Sequence, residues 1–271
     1  MDMKDVKSDT IAKAGVLDRR DILGFLFHPR RAPAMPENNR ITEITVDVGD
    51  DAVIGCRLHM AAAENPNILF FHGNGEIAHD YDAIAPAYLS HDLNIIVADY
   101  RGYGISTGSP SITAMLSDAY RTFDYINAML EDGGHIGPLW VMGRSLGSAP
   151  AIELAANRRD RVAGLIVESG FAGVRDLLAR LGILPKDLEG SDVVFFSNAD
   201  SIKHYPGPVL IIHAEHDHII PLDHGRHLYE SAPGPQKSME IIEGADHNNI
   251  FALAGMRYFE YIRTFIDAQA A

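Results

Sequence analysis

The sequence predicts an α/β fold in which a mostly parallel central sheet carries helices on both faces. From about residue 66 onward, short apolar runs alternate with helix-compatible stretches, which is typical of strand–helix–strand units. Several of these runs are continuously apolar, as in strands buried on both faces of a parallel sheet. Two strand-like segments on either side of a Gly-Asp-Asp turn come before them and predict an antiparallel N-terminal hairpin.

Residues 1–40 are predicted to form an N-terminal arm outside the main domain. Their pattern is largely non-periodic and carries Pro29, Pro33 and Pro36, so it indicates a frayed start, a short helix near 18–27 and an extended stretch. The short apolar run Ile22 to Phe27 could touch a membrane or a partner. We expect it to pack on the core instead.

The main domain is predicted to extend from residue 41 to residue 271. Its hairpin strands are expected at 41–48 and 53–60, and the first parallel strand at 68–71, after the chain break at Asn65-Pro66. Gly133-Gly134 ends a long helix, and Pro206-Gly207-Pro208 precedes a late strand. The remaining predicted strands are 94–98, 139–142, 162–167, 209–212 and 239–242, and the predicted helices are 77–90, 111–131, 146–157, 223–231 and 249–267.

One segment, residues 169–205, interrupts the alternation. It is long for a strand-to-helix connection and begins where a strand ends. It contains a helix-like part over 174–184 and a looser part over 188–198. We interpret it as a small lid that shapes a substrate pocket, and a longer helical crossover is the alternative.

Composition narrows the possible partners and the location. The net charge of −14 argues against nucleic acid, which requires basic patches. The first residues lack the apolar run of a signal peptide, and no window approaches the roughly 18 apolar residues of a membrane span. A single cysteine, Cys56, excludes an intramolecular disulfide. We therefore expect a cytoplasmic protein without stable membrane insertion.

The stretch Gly143-Arg144-Ser145-Leu146-Gly147 reads G-x-S-x-G and lies between a predicted strand and a predicted helix. A sharp strand-to-helix turn around a serine holds that serine in strained backbone angles and exposes its hydroxyl to a base. Small residues are needed on both sides of such a turn. The pattern predicts Ser145 as a nucleophile, supported by Gly143 and Gly147.

A serine nucleophile needs a histidine base and an acid that orients the histidine. In folds with such a strand–serine–helix turn, the acid follows the serine along the chain and the histidine follows the acid. Asp217 lies a few residues past the strand at 209–212 and is the predicted acid, with Glu215 as the rival. His247 lies in the loop after the last strand and is the predicted base. Asp246, next to it, is expected to cap the final helix or fix the turn.

The developing oxyanion needs prearranged N–H donors. One is expected from the backbone of Leu146, directly after the nucleophile. The second is expected from the loop His72-Gly73-Asn74-Gly75-Glu76 after the strand at 68–71. We assign it to Asn74, with Gly73 or Gly75 as alternatives, and consider His72 and Gly73 as supporting positions.

Taken together, these motifs resemble those of the α/β-hydrolase superfamily over roughly residues 41 to 267. The histidine–glycine–asparagine loop and the Asp99–Gly104 segment further resemble the serine-aminopeptidase-like group, which includes Bem-type hydrolases. The resemblance implies Ser145, Asp217 and His247 as a catalytic triad, and it implies esterase, lipase, thioesterase or peptidase activity. The segments that carry it are Phe71–Gly75, Asp99–Gly104, Gly143–Gly147, His213–Asp217 and Gly244–His247.

We therefore predict a serine hydrolase that cleaves an ester, thioester or similar acyl bond of a small-molecule or acyl-bearing substrate through an acyl-enzyme. A carboxylesterase is favoured over a serine aminopeptidase or a protein-acyl thioesterase. No metal or organic cofactor is expected. Two alternatives stay open: a zinc site built from His213, His216 and His218, and a non-catalytic binding protein on the same scaffold.

Overall fold

The computed structural model describes residues 8–33 and 41–270, and eight strands in these ranges form one sheet. The strands are β1 (Thr42–Gly49), β2 (Ala52–His59), β3 (Asn67–Phe71), β4 (Asn94–Ala98), β5 (Leu139–Arg144), β6 (Leu165–Glu168), β7 (Val209–Ala214) and β8 (Lys237–Ile242). The α-helices are α1 (Asp9–Ala14), α2 (Arg20–Leu26), α3 (Ala85–Leu89), α4 (Ile112–Asp132), α5 (Ser148–Asn157), α6 (Val174–Arg180), α7 (Asn198–Ile202), α8 (Leu222–Ser231), α9 (Ile250–Ala254) and α10 (Arg257–Ala270).

The sheet has the strand order β1-β2-β4-β3-β5-β6-β7-β8. β2 runs antiparallel to both β1 and β4, and the other neighbouring strands are parallel. The predicted class, a hairpin leading into a mostly parallel sheet, is confirmed. The strand order reverses between β3 and β5, and in sheets of this kind ligands bind beyond the carboxyl ends of the strands at such a point.

The core lies on both faces of the sheet. Every residue of β3, β4, β6 and β7 is buried. Alternate residues of β3 belong to two separate apolar clusters, with Leu69 and Phe71 in one and Ile68 and Phe70 in the other. Because side chains alternate along a strand, this division explains why the strand reads as a continuous apolar run.

The helix predicted over 77–90 is interrupted. Ala78–Ala83 forms a 3₁₀ helix, and α3 begins only at Ala85, with Pro86 in its first turn. Proline has no N–H, and its ring would clash with the carbonyl four residues earlier, so it begins a helix rather than continuing one.

Two other predicted boundaries differ from the structure. The helix predicted over 249–267 is two helices, because Gly255 takes a φ of 55° and ends α9. The strand predicted over 162–167 begins only at Leu165. Its expected first residue, Val162, still donates its N–H to the carbonyl of Arg158 at the end of α5.

The N-terminal region contains the expected helix as α2 and a further one, α1, which the pattern did not predict. Ile22, Leu26 and Phe27 are buried in the main core, whereas Phe25 is 61% exposed. The predicted frayed start and much of the extended stretch fall on residues 1–7 and 34–40, outside the described residues. In the part of the chain that the structure describes, none of the helices has the length and apolar content needed to cross a membrane.

The segment 169–205 contains α6 and α7, joined by a long irregular stretch. The helix expected over 174–184 ends at Arg180, and Gly182 follows with a φ of 70°. A bridge joins Gly173, directly before α6, to Ser197, directly before α7. A role as a lid stays a prediction.

Candidate active site

Ser145 lies at the sharp turn between β5 and α5. Its φ is 52°, in the left-handed region that non-glycine residues rarely adopt. A Cβ added to Gly143 would lie 2.1 Å from the carbonyl oxygen of Gly147, and one added to Gly147 would lie 2.0 Å from that of Phe71. The turn therefore leaves no room for a side chain at either position.

The structure brings the three predicted triad side chains together. His247 Nδ1 lies 2.7 Å from Asp217 Oδ2, and His247 Nε2 lies 3.0 Å from Ser145 Oγ. Because the carboxylate can only accept, Nδ1 carries the proton, and Nε2 is left to accept from the serine hydroxyl. All three residues are buried. The arrangement can remove a proton from Ser145 while the imidazole is held in one tautomer.

The carboxylate of Asp217 is fixed by its own loop. Its Oδ1 accepts the N–H groups of Ile219 at 3.0 Å and Ile220 at 2.7 Å. Burial opposes ionisation of this carboxyl, but the hydrogen bonds from His247 and Ile220 outweigh it and lower its pKa. Asp217 is therefore ionised at neutral pH, as an orienting acid must be.

The rival acid is bonded elsewhere, whereas His213 of the histidine-rich tract lies beside the triad, with its Nε2 3.7 Å from Asp217 Oδ2. Glu215 accepts the N–H of Gly244 at 2.8 Å. His213 is buried and hydrogen-bonded to the carbonyl of Ile220, whereas His216 is largely exposed. Within residues 8–33 and 41–270, no group of three ligating side chains is arranged to hold a metal ion.

The predicted oxyanion loop follows β3 and faces the elbow. The N–H of Gly73 donates to Glu76 at 2.8 Å, and Tyr103 has a backbone contact with Gly75. The N–H of Asn74 has no acceptor among the described residues. Of the three candidates in this loop, Asn74 is thus the one whose N–H is available. Its role, with that of Leu146, stays a prediction.

The Asp99–Gly104 segment braces this loop. Asp99 accepts the N–H of Ala78 and lies 3.2 Å from the His72 ring. The hydroxyl of Tyr100 donates to the carbonyl of His72 at 2.6 Å, and that of Tyr103 donates to Asn74 Oδ1 at 2.9 Å. These contacts fix the position of the backbone from which Asn74 presents its N–H.

Two nearby residues have structural roles. Arg101 makes a two-pronged ion pair with Asp118 on α4, which ties the bracing segment to that helix. The carboxylate of Asp246 accepts the N–H of Asn248 at 2.8 Å and so fixes the turn that carries His247. It does not cap α9, whose N-cap is Asn249.

Sequence reasoning missed the contact between the N-terminal region and the oxyanion loop. The N–H of His28 donates to Asn74 Oδ1 at 2.9 Å, and Arg30 Nε donates to the carbonyl of Gly75 at 2.6 Å. Nothing in the pattern of residues 28–30 indicates a partner more than forty residues later. The contact depends on how the chain folds back over β3.

Sequence reasoning also missed a partly buried cluster of charges beside the elbow. Arg144 pairs with Glu76 and Glu168. Burial opposes ionisation of Glu76, but the charge of Arg144 together with the hydrogen bonds from Tyr81 and Gly73 outweighs it and lowers the pKa of that carboxyl. A cavity of about 260 Å³ adjoins the cluster. The available signal was a charged residue inside the G-x-S-x-G stretch itself.

Comparison with known proteins shows similarity to hydrolases. A family model of the alpha/beta hydrolase fold matches residues 66–192. The lysophosphatidylserine lipase ABHD12 of Rattus norvegicus is 33% identical over 194 residues, which cover 65% of this chain and 48% of that protein. Protein bem46 of Schizosaccharomyces pombe is 29% identical over 209 residues, 74% of this chain and 67% of that protein. The chain spans about half the length of its ABHD12 relatives.

Solved structures show the same fold at lower sequence identity. The Pyrococcus furiosus esterase Pf2001 superposes with a TM-score of 0.71 at 14% identity, covering 89% of this chain and 98% of the esterase. Est1E from Butyrivibrio proteoclasticus gives a TM-score of 0.66 at 18% identity, covering 84% and 98%. The sheet order, the serine elbow and these matches show that the chain has the alpha/beta hydrolase fold, and its sequence is similar to the ABHD12 and bem46 proteins.

Proposed function

We propose that this protein is a serine hydrolase of carboxylic esters. The observation that carries the proposal is the continuous hydrogen-bonded chain from Asp217 through His247 to Ser145, at a serine whose φ is 52°. An exposed serine outside such an arrangement has no base to remove its proton, and its hydroxyl is a poor nucleophile at neutral pH.

The reaction follows from the positions of these groups. Ser145 Oγ attacks the carbonyl carbon of the ester while His247 Nε2 takes its proton. The N–H groups of Leu146 and Asn74 stabilise the resulting oxyanion. His247 then protonates the leaving alkoxide, and an acyl-enzyme forms on Ser145. Water, activated by His247, hydrolyses this ester and releases the acid.

Among carboxylic esters, we favour substrates with a long acyl chain. Three large apolar side chains follow the loop that carries His247 and remain exposed: Phe251 is 39%, Leu253 55% and Met256 50% exposed. Phe251 also lines the cavity beside Arg144, and exposed apolar groups near a site suit an apolar ligand. The relatives named lysophosphatidylserine lipase point in the same direction, so a lysophospholipid is the second candidate substrate.

The test measures hydrolysis of p-nitrophenyl esters of graded chain length by the purified protein, by Ser145→Ala and by a surface control, Ser90→Ala. We expect the wild type and the control to be active and Ser145→Ala to be inactive. A fluorophosphonate probe is expected to label the wild type and not Ser145→Ala. The proposal is wrong if the wild type hydrolyses no ester and takes up no probe.

Parallel assays separate the substrate classes. Release of fatty acid from lysophosphatidylserine would support the lipase candidate. Faster turnover of amino-acid p-nitroanilides would instead favour an aminopeptidase, and faster turnover of palmitoyl thioesters would favour a protein-acyl thioesterase. A short-chain optimum among the p-nitrophenyl esters would argue against the long-chain substrate.

A further inference from the structure

Arg144, the last residue of β5, lies between three catalytic segments. Its side chain is only 13% exposed, and its guanidinium donates in three directions. Nε donates to Glu168 at 2.9 Å, Nη1 donates to Glu76, and Nη2 donates to the backbone carbonyl of His247 at 2.7 Å. The residue directly before the nucleophile is therefore bonded to the loop of the predicted base.

The contact with Glu76 extends to the oxyanion loop. The second carboxylate oxygen of Glu76 accepts the N–H of Gly73 at 2.8 Å and the hydroxyl of Tyr81 at 2.7 Å. The guanidinium also packs against this loop, since a Cβ added to Gly73 would lie 2.7 Å from Arg144 Nη1. Arg144 thus links the oxyanion loop to the elbow.

The contact with Glu168 anchors the guanidinium to the sheet. Glu168 is the last residue of β6, lies beside Arg144 in register, and accepts a hydrogen bond from the hydroxyl of Tyr258 on α10. A planar group with donors pointing in several directions can serve three acceptors at once, which a lysine ammonium at the same place cannot do with the same geometry.

We propose that Arg144, in the hydrolase function proposed above, is a positioning residue that holds the oxyanion loop and the His247 loop at their working distances from Ser145. Its contribution falls on kcat, because prearranged donors and a prearranged base act on the transition state and not on substrate binding. This goes beyond the triad and the oxyanion donors, since Arg144 touches none of the reacting atoms.

The test compares Arg144→Ala and Arg144→Lys with the wild type on the preferred ester. For Arg144→Ala we expect kcat to fall by about 100-fold or more, because small misplacements of catalytic groups have effects of that order, while KM stays nearly unchanged. Arg144→Lys is expected to retain an intermediate kcat. Millimolar guanidinium is expected to restore part of the kcat of Arg144→Ala, entering through the adjoining cavity of about 260 Å³.

The matched control is Arg158→Ala, which removes another partly buried ion pair, with Asp124, at the opposite end of α5 from the elbow. It is expected to keep wild-type kcat. If Arg144→Ala does not fold, Glu76→Gln, which breaks one link of the cluster with little change in shape, is measured instead and is expected to lower kcat. An unchanged kcat in the folded Arg144 or Glu76 variant overturns the positioning role.

The outcomes for the two proposals are distinguishable. A wild type without esterase activity or fluorophosphonate labelling contradicts the proposed function itself. If the wild type is active, two results contradict the role of Arg144 and leave the proposed function standing. In the first, Arg144→Ala has a lower Tm but an unchanged kcat. In the second, guanidinium does not raise the reduced kcat of Arg144→Ala.

Discussion

At the scale of single residues, hydrogen-bond partners determine the protonation of Asp217 and His247. Asp217 is ionised because its loop and His247 supply hydrogen bonds that outweigh burial. That carboxylate fixes the proton of His247 on Nδ1 and so leaves Nε2 as the acceptor for Ser145. Asp217 thus determines which nitrogen of His247 carries the proton, and His247 in turn accepts from Ser145. The arrangement therefore depends on the negative charge of Asp217.

Replacing Asp217 with asparagine keeps the shape of the side chain but removes its charge. The amide favours the wrong tautomer of His247, so we expect kcat to fall about 10⁴-fold. The measurement is kcat on the preferred ester together with Tm. Glu215→Gln, two residues away and bonded to Gly244, is the control and is expected to keep near wild-type kcat. Similar losses in both variants would contradict Asp217 as the acid.

At the scale of elements, close backbone approach holds the elbow in place. The end of β5 lies so close to the start of α5 that Gly143 has no room for a Cβ, and Gly147 lies so close to the end of β3 that it has none either. The same closeness brings Ser145 next to the loop after β3, where the oxyanion donor is predicted. The strained turn is therefore maintained by the packing of three elements and not by its local sequence alone.

Two glycine-to-alanine substitutions compare the effect of crowding on stability with the effect of helix propensity. Gly147→Ala would place a methyl group 2.0 Å from the carbonyl oxygen of Phe71. We expect it to lower the free energy of unfolding by about 1–3 kcal/mol or more, and to reduce fluorophosphonate labelling. Gly24→Ala, at a helical position with open space around it, is expected to raise the free energy of unfolding by up to about 1 kcal/mol.

Denaturant unfolding of both variants provides the measurement. Equal stability of Gly147→Ala and the wild type would show that the elbow has room to relax, contrary to the crowding seen between β3 and α5.

At the scale of the whole molecule, burial sets how stability depends on pH. His59, His213 and His224 have pKa values lowered from 6.5, chiefly because burial disfavours their charged form. Below pH 6.5 the unfolded chain therefore binds protons that the folded chain does not. The stability that these three histidines contribute to the folded state is present above pH 6.5 and is lost as the pH falls below it. Asp217 and Glu76, whose pKa values are lowered, add a further loss at more acidic pH.

We therefore expect Tm to decrease as the pH is lowered from about 7 to about 5, by the linkage between proton binding and folding. Thermal unfolding at a series of pH values measures it. His224→Gln, whose side chain lies outside the proposed triad and can still accept from the N–H of Ala172, is expected to flatten this dependence. A Tm that rises on acidification over this range would contradict the prediction.

Much of the fold could be predicted from local pattern. The continuous apolar runs of β3, β4 and β7 indicated a parallel sheet, because only strands covered on both faces read in that way. The breaks at Ala83–Ala85 and Gly255 could not be placed, since Pro86 and Gly255 act through backbone geometry that an apolar pattern does not reveal. The cytoplasmic location expected from the sequence stays a prediction.

The sequence by itself determined the fold class and the identity of the candidate triad, because strand ends and the order of residue types along the chain are local information. Tertiary structure alone brought Asp217 to His247 and Glu215 to Gly244, and it brought Arg144 to Glu76 and His247, and His28 to Asn74. Those contacts join residues that are far apart in sequence. Their distances depend on how β3, β5 and β6 pack side by side, and no short stretch of the sequence contains that information.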